Sequence, residues 1–276
     1  MTREEKYTAF QALHQRPGVF LIPNPWNAGS ARILAALGFE ALATTSGGYA
    51  FSAGLMDSPQ ALTRNGILAN AQSIAEATDL PVSADLQNGF GDAPEACAET
   101  IRLAAQAGLA GGSIEDSTGK ADEPIYDFHL AVERVAAAAG AAHASHFLLT
   151  ARCENFLCGH PDLDDTIGRL QAFAEAGADV LYAPALPSLD AIRAVCAAVS
   201  KPVNVLMGLK GALYSVEELA AAGAKRISVG GSLARAALGA FVHAAREIKE
   251  KGTFTYAQDA ISGAELTSYF EQRDNV

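Results

Sequence analysis

Residues 175–182 read EAGADVLY: a helical segment ends on Gly177, and the chain enters an apolar run almost at once. The same junction recurs in ALGFEAL (36–42), QAGLAGGSI (106–114) and AAGAKRISV (221–229). Glycine suits the left-handed C-terminal cap that so tight a helix-to-strand turn needs. Outward from these junctions, short runs rich in Val, Ile and Leu fall at 18–24, 40–47, 80–87, 109–116, 146–154, 178–185, 201–208 and 225–231. Ala-rich stretches of helical period separate them. Continuous apolar character marks strands buried on both faces, as in a parallel sheet. Eight such units with no low-complexity linker predict an α/β fold, a single (β/α)8 TIM-type barrel domain over 1–276. No G-x-G-x-x-G follows the first strand, which ranks an open doubly wound sheet second. An N-terminal helix is expected at 3–15. A last helix is expected at 232–252, followed by a tail, 252–276, suited to contacts between subunits.

Half of the 276 residues are apolar and the net charge is −11. The length supports a sizeable core. The acidic balance argues against nucleic acid, which calls for a basic stripe. Cys97, Cys153, Cys158 and Cys196 show no paired metal spacing, so reduced thiols and a cytoplasmic location are expected. The opening MTREEKYTAFQALHQRPG is charged and lacks an apolar core, so no signal peptide is expected. No apolar run approaches the ~18 residues of a membrane helix, and no membrane partner is expected.

In such a barrel the active site lies at the carboxyl ends of the strands. The expected tips carry Asn24, Trp26 and Asn27; Thr45, Ser46, Gly47 and Gly48; Asp85, Gln87 and Asn88; Glu115 and Asp116; Arg152 and Glu154; and Asn204, Lys210, Gly230, Gly231 and Ser232. Asp85 closes one buried run, in SADLQNGFGD (83–92), and Glu115 the next. Carboxylates on adjacent buried strands repel unless they are protonated or share a cation. Hard oxygen ligands at an open site suit Mg²⁺. The two glycines of TTSGGYA (44–50) offer backbone N–H groups to a carboxylate or oxyanion. Arg152 offers a planar fork to a second acid group, and Glu154 a partner to orient it.

With these residues in view, the chain resembles the isocitrate lyase/phosphoenolpyruvate mutase superfamily over nearly its whole length. The Ser-Gly-Gly of TTSGG, Asp57 in SAGLMDSP, and DLQNGFG, SIEDS and ARCEN match the family's motifs. The resemblance implies an enzyme that acts on a small 2-oxo or 2-hydroxy carboxylate through an enolpyruvate-like intermediate. Its implied cofactor is Mg²⁺, with Mn²⁺ as an alternative. Asp85 would contact the metal, with Asp57 and Glu115 holding its waters. Ser46, Gly47 and Gly48 would bind the substrate carboxylate and oxyanion, and Arg152 would grip a carboxylate or the departing group. A homotetramer with exchanged C-terminal helices is also implied.

Two departures from the family pattern stand out. Gln87 replaces the usual second aspartate of the metal turn; its amide oxygen still accepts a metal-bound water but adds no charge. The loop after the fourth strand, STGKADEPIYDF (117–128), lacks the Lys-Lys/Arg-Cys-Gly-His of the lyases. CGHP (158–161) offers Cys158 and His160 one loop later as candidate proton-transfer groups. The expected activity is carbon–carbon cleavage or decarboxylation of a methylisocitrate-, dimethylmalate- or oxaloacetate-like acid. A phosphonopyruvate mutase or hydrolase, suggested by ARCENF, is the alternative. A barrel isomerase with a phosphate clamp at SVGGSLAR (228–235) and a non-catalytic 2-oxo acid binder are readings from other classes.

Overall fold

The computed structural model describes residues 1–58, 61–209 and 211–271. Eight parallel strands form one nearly closed barrel: β1 (Phe20–Ile22), β2 (Leu42–Ala43), β3 (Val82–Asp85), β4 (Gly111–Glu115), β5 (Leu148–Arg152), β6 (Val180–Tyr182), β7 (Val203–Leu206) and β8 (Arg226–Ser228). They run in the order β1-β8-β7-β6-β5-β4-β3-β2. Between β1 and β2, Ala43 N–H donates to Pro23 O at 3.0 Å and Asn24 Nδ2 to Thr44 O at 2.9 Å. Each strand is the middle of an expected apolar run. At the four quoted junctions Gly38, Gly108, Gly177 and Gly223 take φ between 86° and 105°, a region open to glycine at little cost.

Helices α2 (Ala28–Ala36), α4 (Arg64–Glu76), α5 (Pro94–Gln106), α6 (Phe128–Ala144), α7 (Leu163–Glu175), α8 (Leu189–Ala198) and α9 (Val216–Ala221) alternate with the strands. The segment 44–50 differs from expectation. It is not a strand end but the entry to a short helix, α3 (Ser46–Ser52), because Thr45 accepts from Gly48 N–H and caps it. Helix α1 (Arg3–Gln15) starts in a Thr2/Glu5 capping box. It buries Phe10 and Leu13 against Phe20, Ile22, Ala110 and Leu148, closing the amino-terminal end of the barrel.

The expected last helix is present as α10 (Ser232–Lys251), yet Ala234 is its one buried residue. Phe241 is 68% exposed, with Leu238, Val242 and Ile248 also open. Beyond it a 3-10 turn (Thr255–Gln258) leads to α11 (Gly263–Glu271). There Arg32 of α2 bonds the Phe270 carbonyl. Residues 272–276 of the tail, and Lys210, lie outside the described residues. Among the described residues no helix is long and apolar enough to cross a membrane.

Candidate active site

The carboxyl ends of the strands open into a cavity of about 530 Å³. Strand register brings Glu115 beside Arg152 and Arg152 beside Tyr182. Arg152 Nη1 donates to Asp85 Oδ1 at 3.2 Å. Nη2 lies 2.6 Å from Glu154 Oε1 and 3.3 Å from Glu115 Oε2. Nε donates to Glu154 Oε1 at 2.8 Å, and the guanidinium carbon stands 5.0 Å from the Tyr182 ring centroid. One cation therefore serves three carboxylates. Burial pushes the Glu115 carboxyl up to about 8, with Arg152 opposing and Glu154 and Asp85 adding to the rise. Burial works against the charge on Arg152, but the three acids outweigh it and hold its pKa well above the ordinary value.

A second layer fixes this group. Glu154 N–H donates to Asp116 Oδ1 at 2.8 Å, and Asp116 Oδ2 is 3.4 Å from Arg169 Nη1. Burial raises the Asp116 carboxyl to about 6, against the Glu154 N–H and Arg169. Asp116 thus anchors the strand end that presents Arg152 and Glu154.

The first turn of α3 faces the same cavity. Ser46 N–H donates to Asp85 Oδ2 at 3.2 Å, and Gly48 N–H to Thr45 Oγ1 at 3.2 Å. Of the three backbone donors expected here, Gly47 N–H alone has no partner among the described residues. A Cβ on Gly47 would sit 2.6 Å from Asp57 Oδ2, and one on Gly48 2.7 Å from Thr45 Cγ2. Gly48 is held to glycine by that approach, with Trp26 Cβ also at 2.9 Å, while a side chain at 47 would push the Asp57 carboxylate aside. Burial raises the Asp57 pKa, and the charge of Asp85 adds to it.

Asp57 and Asp85 both line the cavity. Glu115 is reached through Arg152. Gln87, at φ 47°, meets Asp85 through its own backbone N–H, 3.3 Å from Oδ1. Among the described residues no three of His, Cys, Asp and Glu gather into a metal cluster. Mg²⁺ does not require one, since it keeps several waters and takes one or two carboxylates. Two like-charged acids sharing a rim fit that ion.

Loop 5 keeps both of its candidates off the cavity lining. His160 is exposed and does not line the cavity. Cys158 is half-buried and does not line it either. Burial pushes its thiol up to about 11, with Glu154, Asp116 and Glu115 adding. Lys120 of loop 4 pairs with Asp92 at 3.0 Å, in water. The SVGG turn offers little to a phosphate, because Val229 and Gly230 N–H both donate to Asn24 Oδ1 at 2.9 Å. Tyr182 lines the cavity, while Trp26 and Tyr49 do not. Two further arginines do, Arg226 in β8 and Arg235 in α10. Sequence reasoning passed over both. Arg235 was legible only as the helical fourth residue after Gly231, whose carbonyl accepts its N–H at 3.0 Å.

Residues 10–249 match the family model described as phosphoenolpyruvate phosphomutase. The chain belongs to that family. Within the isocitrate lyase/phosphoenolpyruvate mutase superfamily this phosphomutase-family chain is an enzyme, and the superfamily named from its motifs is the one found. It is 59% identical to a solved Burkholderia cenocepacia J2315 protein described provisionally as a lyase or mutase, with a TM-score of 0.94 over 97% of this chain and 96% of that one. Phosphoenolpyruvate phosphomutase from Streptomyces platensis subsp. rosaceus is 27% identical, with a TM-score of 0.84 over 97% and 96% of the two chains. The 2-methylisocitrate lyase of Escherichia coli K12 is 29% identical over 254 residues, 89% of this chain and 85% of that protein.

Proposed function

We propose that this enzyme is a Mg²⁺-dependent carbon–carbon lyase or decarboxylase acting on a small 2-oxo or 2-hydroxy di- or tricarboxylate, through an enolate. The observation that carries the reading is the shared rim. Asp85 and Asp57 line one side of the cavity, Gly47 N–H stands open, and Arg152 is held in a fixed fork by Asp85, Glu115 and Glu154. Asp85 would hold the cation, with Asp57, Glu115 and Gln87 as its outer partners. When bound, the cation supplies Lewis-acid polarisation of the 2-oxo group. Gly47 N–H donates to the oxygen that gains charge as the bond breaks. Arg152 grips the adjoining carboxylate, and Glu154 keeps its guanidinium plane in place. Arg235, exposed at the cavity mouth and with no side-chain hydrogen bond or ion pair among the described residues, takes a carboxylate at the far end. Cys158 and His160 of loop 5 are the candidates for proton transfer, and the Cys158 thiol, pushed up to about 11 by burial, is neutral near pH 7.

The open face of α10 supports a homo-oligomer, a tetramer by resemblance, and the whole chain 1–276 is read as one cytoplasmic domain. The phosphonopyruvate alternative keeps two observations in its favour, the family match over residues 10–249 and the 27% identity to a phosphoenolpyruvate phosphomutase. A side-by-side assay decides: methylisocitrate, 2,3-dimethylmalate, oxaloacetate and phosphonopyruvate, each with Mg²⁺, Mn²⁺ or EDTA. Turnover of one of the first three, lost in EDTA and lowered at least 100-fold in Asp85→Asn, is expected. Selective turnover of phosphonopyruvate moves the assignment to the alternative. Undiminished activity in EDTA removes the cation from the reading.

A further inference from the structure

Beneath the acids the barrel interior changes character. A residue two positions earlier on a strand points the same way, one layer deeper. Ser83 therefore stands below Asp85, Ser113 below Glu115 and Thr150 below Arg152. On the far side Asn204 Nδ2 donates to Ser228 Oγ at 2.9 Å. Barrels of this kind usually fill such layers with branched apolar side chains. Here Ser83, Ser113, Asn204 and Ser228 line the lower cavity, and Ala43 adds no bulk.

Arg226 lies in that layer, 4% exposed and part of the cavity wall. Its Nε donates to Asn204 Oδ1 at 2.8 Å and Nη2 to Thr150 Oγ1 at 3.1 Å. Nη1 faces His14 Nε2 at 3.5 Å. His14 is itself neutral: its Nδ1 meets Phe10 O at 2.8 Å, and burial pushes its pKa down to about 3. Every partner is uncharged. Arg152 and Arg169 each have carboxylates, and Arg235 at the cavity mouth is exposed to solvent, but Arg226 is buried and enters no ion pair among the described residues. Three of its five N–H groups are used, which leaves one on each Nη. A buried guanidinium without a counter-ion is costly. Kept at the wall of a roomy polar cavity, that cost points to an anion arriving from outside.

We propose that Arg226, with Asn204, Ser228 and the hydroxyls of Ser83 and Ser113, is the floor of an anion subsite that takes a carboxylate. The identity of the carboxylate rests on the proposed function; the existence of the subsite does not. The substrate is then a short di-acid lying along the barrel axis. Its reacting end meets Asp85 and Arg152, and its second carboxylate sits one layer, about 7 Å of strand rise, below. Arg226 is a specificity-determining residue that rewards a second negative charge at depth.

The test compares wild type, Arg226→Met and Arg226→Lys by thermal unfolding and calorimetry. Acetate is the free carboxylate probe, and oxalate with Mg²⁺ probes the upper site. Acetate is expected to raise the wild-type Tm and to bind Arg226→Met at least tenfold more weakly. Arg226→Lys, which keeps charge and loses the planar fork, falls between them. Ligand-free Arg226→Met should melt at or above wild type, since an apolar chain replaces an uncompensated charge. Oxalate with Mg²⁺ should bind all three alike. Competition between acetate and a di-acid substrate assigns the subsite to the substrate's own second carboxylate. Acetate bound without competition assigns it to a separate carboxylate ligand. Equal acetate binding by wild type and Arg226→Met, or none by either, overturns the proposal. Failure of oxalate to bind wild type with Mg²⁺ while the acetate effect persists counts instead against the proposed function.

Discussion

His14 shows how a single side chain sets a pH limit. Burial, with Arg226 and Lys225 adding, holds its pKa at about 3 in the folded chain against an ordinary 6.5. The unfolded chain therefore binds a proton that the folded chain refuses. Stability is full above pH 6.5 and declines below it, by about 1.4 kcal/mol per pH unit, until near pH 3. Urea unfolding should show a His14 component of about 2 kcal/mol between pH 7 and pH 5. His14→Gln should lose that component, and an unchanged pH difference in the variant would refute the assignment. At this scale Asp85, Glu115 and Arg152 were legible, because acids and arginines at the ends of apolar runs have few structural reasons to be there. Arg226 was not. It sits inside a run, where periodicity suggests packing, and only the ring of neutral partners around it shows the charge left over.

Elements carry the next constraint. Arg134 of α6 is 1% exposed and donates to three carbonyls of the loop after β3: Gly91 at 2.6 Å, Asp92 and Asn88. Its guanidinium carbon lies 4.0 Å from the Tyr126 ring centroid, and Tyr126 OH donates to Asp92 Oδ1 at 2.6 Å. The loop bearing Gln87 and the loop bearing Lys120 are thereby tied to one helix. Arg134→Met fills similar volume but strands those carbonyls, and a loss of about 3 kcal/mol in urea unfolding is expected. A loss below about 1 kcal/mol would show that water satisfies the loop instead. The strands were legible from their runs. The helical start at Ser46 was not, because two adjacent glycines signal a turn and the Thr45 cap outweighs that local preference.

For the whole molecule, the helix–glycine–strand repeat was enough to read the barrel, since each unit states its own geometry. The arrangement of α10 was beyond that reading. Its amphipathic pattern predicts burial, yet its own barrel buries Ala234 alone. With Phe241 68% exposed, Phe241→Glu should shift the chain toward monomer in sedimentation or light scattering. Arg235 stands on the same helix, so activity should fall with the assembly. A variant that stays oligomeric would place the subunit contact elsewhere.

The interlock of Gly47 and Asp57 has an evolutionary side. With 2.6 Å between an added Cβ and the Asp57 oxygen, a side chain at 47 must push that carboxylate aside, so position 47 is closed to larger residues for as long as Asp57 keeps its place.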